Sequence, residues 1–171
     1  MNKQVHDPET ILKSYADGPT LLDVALSELK ESDLNLSLSS DSWTVRQIVH
    51  HIVDGDDIWK ICVKGALGNN NGIFSLQWYW DKSQIHWSKK WNYATHPLET
   101  SLALFHANRR HILELISQTP NAWEKSIRIK TPQNEEGRIT IGEILDMQSS
   151  HVIEHIGEIQ AILHSHVSPV S

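Results

Sequence analysis

Apolar residues recur at helical spacing in four stretches of the chain. In 8–30 they fall at Ile11, Leu12, Tyr15, Leu21, Leu22, Ala25, Leu26 and Leu29, a helical recurrence. Gly18-Pro19 interrupts this pattern. Proline lacks a helix donor and crowds the residue before it, so a kink or short break is expected there, with Pro19 near the first turn of the helical segment beyond it. A second helix opens at Thr44-Val-Arg-Gln47, a T-x-x-Q capping box, and is expected to run to about residue 65. A third spans 97–118, with Pro97 in its first turn and a core line of Leu98, Leu102, Phe105, Ile112, Leu113 and Ile116. Arg109 falls inside that apolar arc. The fourth, 140–163, starts at a T-x-x-E box, Thr140 and Glu143.

The connections read differently. Residues 31–42 are polar, and 67–75, with its run of asparagines between glycines, reads as a loop. The aromatic and basic segment 76–92 reads as a long connection containing a short helix. Residues 124–130 alternate around Ile127 and Ile129, and a turn signal at 134–137 precedes Arg138-Ile139, so a small hairpin before the last helix is expected. The tail after Ser165 is expected to fray. Four long amphipathic helices imply an all-α, four-helix bundle. The long link between the second and third permits a crossover, so those two need not be antiparallel neighbours. With 171 residues and no internal repeat, one domain over 1–171 is expected, its core within about 8–165.

The fourth helix changes the picture from packing to chemistry. Placing Ile144 at zero and advancing about 100° per residue puts Gln148, His151, His155, Ile159 and Ile162 within about 60° of one line. Two histidines, spaced i and i+4, therefore sit on the core face, and both rings can converge on one point. On the second helix the same construction turns His51 inward, with Ile48, Ile52, Ile58 and Trp59. His50 is sent toward solvent or an edge, near Asp54 and Asp57. His51, His151 and His155 would then offer three imidazoles from two facing helices, the number of protein ligands in a catalytic zinc site.

Composition narrows the alternatives. Lys and Arg number 15 against 21 Asp and Glu, a net charge of −6, which argues against nucleic acid as partner. No apolar run approaches the roughly 20 residues of a membrane span, and the N-terminal residues lack the apolar stretch of a signal peptide. The single cysteine, Cys62, suits a reducing compartment, so a cytoplasmic location is expected. Cys62 is eleven residues from His51, about 16 Å along a helix, and reads as core packing.

The block Asp41-Ser-Trp43-Thr-Val-Arg-Gln-Ile-Val-His-His51-Ile-Val-Asp54, with a capped helix start after Trp43 and a histidine eight positions beyond it, resembles the DinB/YfiT-like family of metal-dependent enzymes. So does Gly142-Glu-Ile-Leu145 leading to His151-x-x-x-His155. The likeness covers about 10–164. It implies a four-helix bundle of unusual helix order and one divalent metal on His51, His151 and His155, with open positions toward solvent. Three imidazoles suit zinc, nickel, iron or copper, with zinc or nickel placed first. Relatives in the family include hydrolases and transferases of low-molecular-weight thiols, such as bacillithiol and mycothiol enzymes. One departure stands out: members often carry glutamine three residues after the last histidine, where this chain has Glu158, either a carboxylate that orients His155 or a solvated or interface glutamate.

The implied chemistry needs no protein nucleophile, because the cation makes hydroxide from water, or thiolate from a thiol cosubstrate, at neutral pH. The lead reading is a metal-dependent thiol S-transferase or hydrolase acting on a small electrophile. The alternatives are a metal-binding bundle without turnover and a metal-free helical interaction protein. Asp54 is either an aid to a ligand or water or an edge carboxylate, and Arg109 either binds a substrate carboxylate or forms a buried ion pair. Trp78, Trp80, Trp87 and Trp91 form either a lid or substrate wall, or packing or a homodimer contact.

Overall fold

The computed structural model describes residues 7–166 apart from Asn70, Pro132 and Asn134. Four long helices dominate: α1 (Pro8–Leu26), α2 (Val45–Gly68), α5 (Leu98–Ser117) and α6 (Ile141–His166). Between α2 and α5 lie a short strand β1 (Ile73–Ser75) and two short helices, α3 (Gln77–Trp80) and α4 (Gln84–Lys90). Before α6 come β2 (Ser126–Lys130) and β3 (Glu136–Thr140). Both capping boxes form. Thr44 accepts from the Gln47 amide while the Gln47 side chain accepts from the Thr44 amide. Thr140, the last residue of β3, does the same with Glu143 and so turns strand directly into helix.

In the bundle α1 packs on α6 and α5, and α2 packs on α5 and α6. Consecutive long helices α1 and α2 therefore lie across a diagonal. His50 meets Ser101 and, two turns on, Asp57 meets Asn108, so α2 and α5 run parallel. That geometry requires the crossover, which 69–97 supplies. The segment 76–92 holds two short helices instead of one. The stretch 67–75 is not all loop: α2 continues to Gly68, and β1 pairs parallel with β2, adding a third strand to the β2–β3 hairpin. Three residues of strand with no alternation of their own are invisible without the partner. Ile127 is the anchor of this sheet on α2, and a Cβ at Gly65 would lie 2.7 Å from its Cδ1.

The core is two apolar clusters. One holds Leu22, Ile48, Ile52, Phe105, Val152 and Ile159; the other holds Tyr15, Val63, Ile112, Ile141, Ile144 and Leu145. On every long helix the buried residues between the clusters are polar or small: Gly18-Pro19 on α1, Asp56 on α2, Asn108 and Arg109 on α5, and Gln148 and Ser149 on α6. This polar layer explains why α1 does not break. Pro19 has no N–H for the carbonyl of Tyr15, four residues back. Arg109 Nη1 donates to that carbonyl at 2.8 Å, and the helix passes through Pro19 unbroken to Leu26. Pro97 sits at the cap position just before α5, not inside its first turn. Ser165 and His166 are helical, and the rest of the tail lies outside the described residues.

Candidate metal centre

The helix caps set the register of the two facing elements. From Thr44, α2 carries His51 two turns in, with the Trp43 ring edge-on to it at 4.7 Å. From Thr140, α6 carries His151 and His155 on consecutive turns. The structure brings all three rings together: His51 Nε2 lies 3.1 Å from His151 Nε2, which lies 3.1 Å from His155 Nε2. The rings meet edge-on, with centroids 4.5–5.0 Å apart. Among the described residues this is the group of three whose donor atoms all lie within 4.8 Å of one another.

The donor set fits a cation. Burial first, then the neighbouring imidazoles, lowers the pKa of His51 to about 3. Burial and His155 lower that of His151 to about 4, so both rings are neutral at pH 7 and keep a lone pair. A single N–H between two of three converging Nε2 atoms leaves a lone pair facing a lone pair. One divalent ion would satisfy all three. On the outer side, His155 Nδ1 lies 2.8 Å from the Glu158 carboxylate, an acceptor for its N–H that turns Nε2 toward the other two rings.

Beside the rings a cleft of about 200 Å³ opens, with His51 and His151 in its lining. Its walls are Trp59, Leu76, Tyr79, Trp80 and Met147. Gln84 and Gln148 add amides, and among the described residues no Asp, Glu, Lys or Arg lines it. Of the four clustered tryptophans, Trp80 reaches the cleft. Trp87 and Trp91 stack behind it with Tyr79, ring planes 11–25° apart, and Trp78 is half exposed. The segment 76–92 thus supplies one wall, and Leu76 and Tyr79 belong to it as much as any tryptophan.

Other expected residues lie elsewhere. His50 is 2 % exposed, against the expectation of an edge or solvent position. The 92–97 turn folds over it, and its ring bonds Ser101 and the His96 carbonyl. A wheel for one helix cannot see a loop that returns to cover it. Asp54 accepts from the Tyr93 hydroxyl and stands outside the cleft lining. Arg109 is 1 % exposed and is not part of the lining of this cleft: Nε donates to Asp56 at 2.9 Å, Nη1 to the Tyr15 carbonyl at 2.8 Å and Nη2 to the Gln148 carbonyl at 3.0 Å. Its guanidinium also lies over the rings of Tyr15 and Phe105. This is the buried ion pair of the two alternatives for Arg109.

A four-helix bundle with three converging histidines and a crossover between parallel helices defines the class. Residues 15–159 match the DinB superfamily, and the chain belongs to it. A protein of Oceanobacillus iheyensis named "putative metal-dependent hydrolase" is 28% identical over 152 residues, 88% of this chain and 83% of its own length. The fold is also that of YfiT from Bacillus subtilis, described as "a probable metal-dependent hydrolase with an unusual four-helix bundle topology". The two superpose with a TM-score of 0.77 at 21% identity, covering 96% of this chain and 92% of that one.

Proposed function

We propose that the protein is a metal-dependent enzyme whose divalent cation, held by His51, His151 and His155, activates water or a low-molecular-weight thiol against a small electrophilic substrate. The observation that carries this reading is the convergence of three Nε2 atoms beside a largely apolar cleft that His51 and His151 help to line. The name borne by the Oceanobacillus relative and the description of YfiT support hydrolysis, and thiol transfer is the second reading. A bound divalent cation supplies Lewis acidity, bringing coordinated water to a pKa of about 7 and favouring the thiolate of a thiol.

The chain's own residues do the rest. His51 and His151, neutral near pH 7, present lone pairs without a proton to displace. Trp59, Tyr79 and Trp80 keep bulk water from one side and offer flat apolar surface to a substrate. No protein thiol competes as nucleophile, because Cys62 is fully buried in the core.

The test has two stages. Protein made without a histidine tag should hold about one divalent ion per chain, and His51→Ala and His155→Ala should each lose it. Unchanged metal content in both variants would sink the site. The loaded protein is then assayed against activated esters and amides, and against monochlorobimane with a panel of thiols. Ester or amide turnover assigns a hydrolase and bimane conjugation a transferase. Bound metal with no turnover in either panel favours a binding protein over an enzyme.

A further inference from the structure

Metal-binding histidines usually donate their second ring nitrogen to an acceptor, which fixes tautomer and orientation. His155 has its acceptor in Glu158, three residues on. His151 has none: its Nδ1 is buried without a hydrogen-bond partner. One turn earlier on the same helix is Gln148, 4 % exposed, whose side-chain oxygen is also buried without a partner. Residues three apart on a helix are neighbours on its surface. Both side chains line the same cleft. One orphan is a donor whenever Nε2 is the ligand; the other is an acceptor.

We propose that Gln148 is the positioning residue of His151: with a cation on the three histidines, the Gln148 side-chain oxygen accepts the His151 Nδ1–H. The proposal rests on the metal reading above. The helix then carries Q-x-x-H-x-x-x-H-x-x-E, an amide for the inner histidine and a carboxylate for the outer one. The two differ for a reason of burial. Glu158 is half exposed and can carry charge, whereas Gln148 is walled in and a neutral acceptor costs less there. The backbone beneath it is already held, because the Gln148 carbonyl accepts from Arg109. The amide therefore needs only side-chain rotation to meet its partner.

The test compares wild type with Gln148→Met, which keeps length and removes the acceptor. Cobalt affinity, measured by chelator competition, should fall about 10–100-fold. In the proton spectrum of the cobalt-loaded protein, the shifted Nδ1–H signal of His151 should exchange with solvent faster, while that of His155 is unchanged. The metal-free variant should melt at or above the wild-type temperature, since no hydrogen bond of the Gln148 side-chain oxygen is broken. Cobalt affinity within twofold of wild type, with the His151 signal unmoved, overturns the proposal. A metal-free variant that melts well below wild type also overturns it, by making Gln148 a structural residue. If wild type itself binds no cobalt through these histidines, the metal reading fails and this one fails with it. For a variant that does not fold, slow exchange of the His151 Nδ1–H in wild type is retained as support, and fast exchange counts against.

Discussion

Arg109 Nη1 donates to the carbonyl of Tyr15 at the place where Pro19 has no N–H to give. The same guanidinium bonds Asp56 on α2 and the Gln148 carbonyl on α6, so one side chain of α5 joins the other three long helices at mid-bundle. Arg109→Met keeps the bulk but strands the Asp56 carboxylate, 2 % exposed, without its cation. Breaking a buried pair this way costs about 3–5 kcal/mol. Urea unfolding of the metal-free protein should show that loss. The double variant Arg109→Met/Asp56→Leu should recover much of it, and a double variant no better than the single would mean that packing, not charge, is what the arginine provides.

Gly18 tests the same junction sterically. A Cβ there would lie 2.3 Å from Arg109 Nη1. Gly18→Ala, ordinarily favourable in a helix by up to about 1 kcal/mol, should destabilise this one. A melting temperature equal to or above wild type would show that the arginine has room to withdraw.

Glu158 stands 2.8 Å from His155 Nδ1 with its side chain half exposed. As an orienting acceptor, its removal in Glu158→Ala should weaken metal binding about 10–100-fold, with Glu158→Gln falling between the two. Affinities for all three proteins that agree within twofold would make Glu158 a surface residue that happens to lie near the ring.

The linear pattern discloses in advance the features that lie on a single helix. His51, His151 and His155 were separable from the other histidines because helical period and core face coincide there. Both capping boxes form as written. His50 escaped because its burial comes from the 92–97 turn, not from α2. Arg109 was visible as an arginine in an apolar arc, but its partners sit on three other helices. The continuity of α1 through Pro19 depends on a donor from α5, far along the chain. Strand β1 exists only as an addition to β2. Contacts between distant segments carry no local period, and these are the features that the linear pattern left open.

Cys62 is fully buried, and burial pushes its thiol up to about 12 from 9.0. The folded protein should therefore resist Ellman's reagent at pH 8 and release one equivalent only on unfolding. The raised value also fixes a sign. Below pH 9 the thiol is neutral in both states and its contribution is fully present. Between about 9 and 12 the unfolded chain ionises first, and stability falls as pH rises, by up to roughly 4 kcal/mol. Cys62→Ala should remove that part of the alkaline loss. Rapid labelling of the native protein would place the thiol outside the core.

On the acid side the histidines set the opposite slope. In the folded metal-free protein His51 and His151 are lowered from 6.5 to about 3 and about 4, and burial lowers His50 as well. The unfolded chain takes up protons on these rings below about pH 6.5, while the folded one resists until the lower values are reached. The unfolded state thus binds more protons through this window, and stability drops as the pH falls through it. A loss of a few kcal/mol between pH 7 and 4.5 is expected for chelator-treated protein. His51→Phe, which keeps an aromatic ring but cannot protonate, should flatten part of the slope. Metal adds to the acid sensitivity of the loaded protein, because protons compete for the same Nε2 atoms. Thermal melts across this range, with and without zinc, measure both. A metal-free protein whose melting temperature is level from pH 7 to 4.5 would mean that the rings titrate freely and are not held neutral by the bundle.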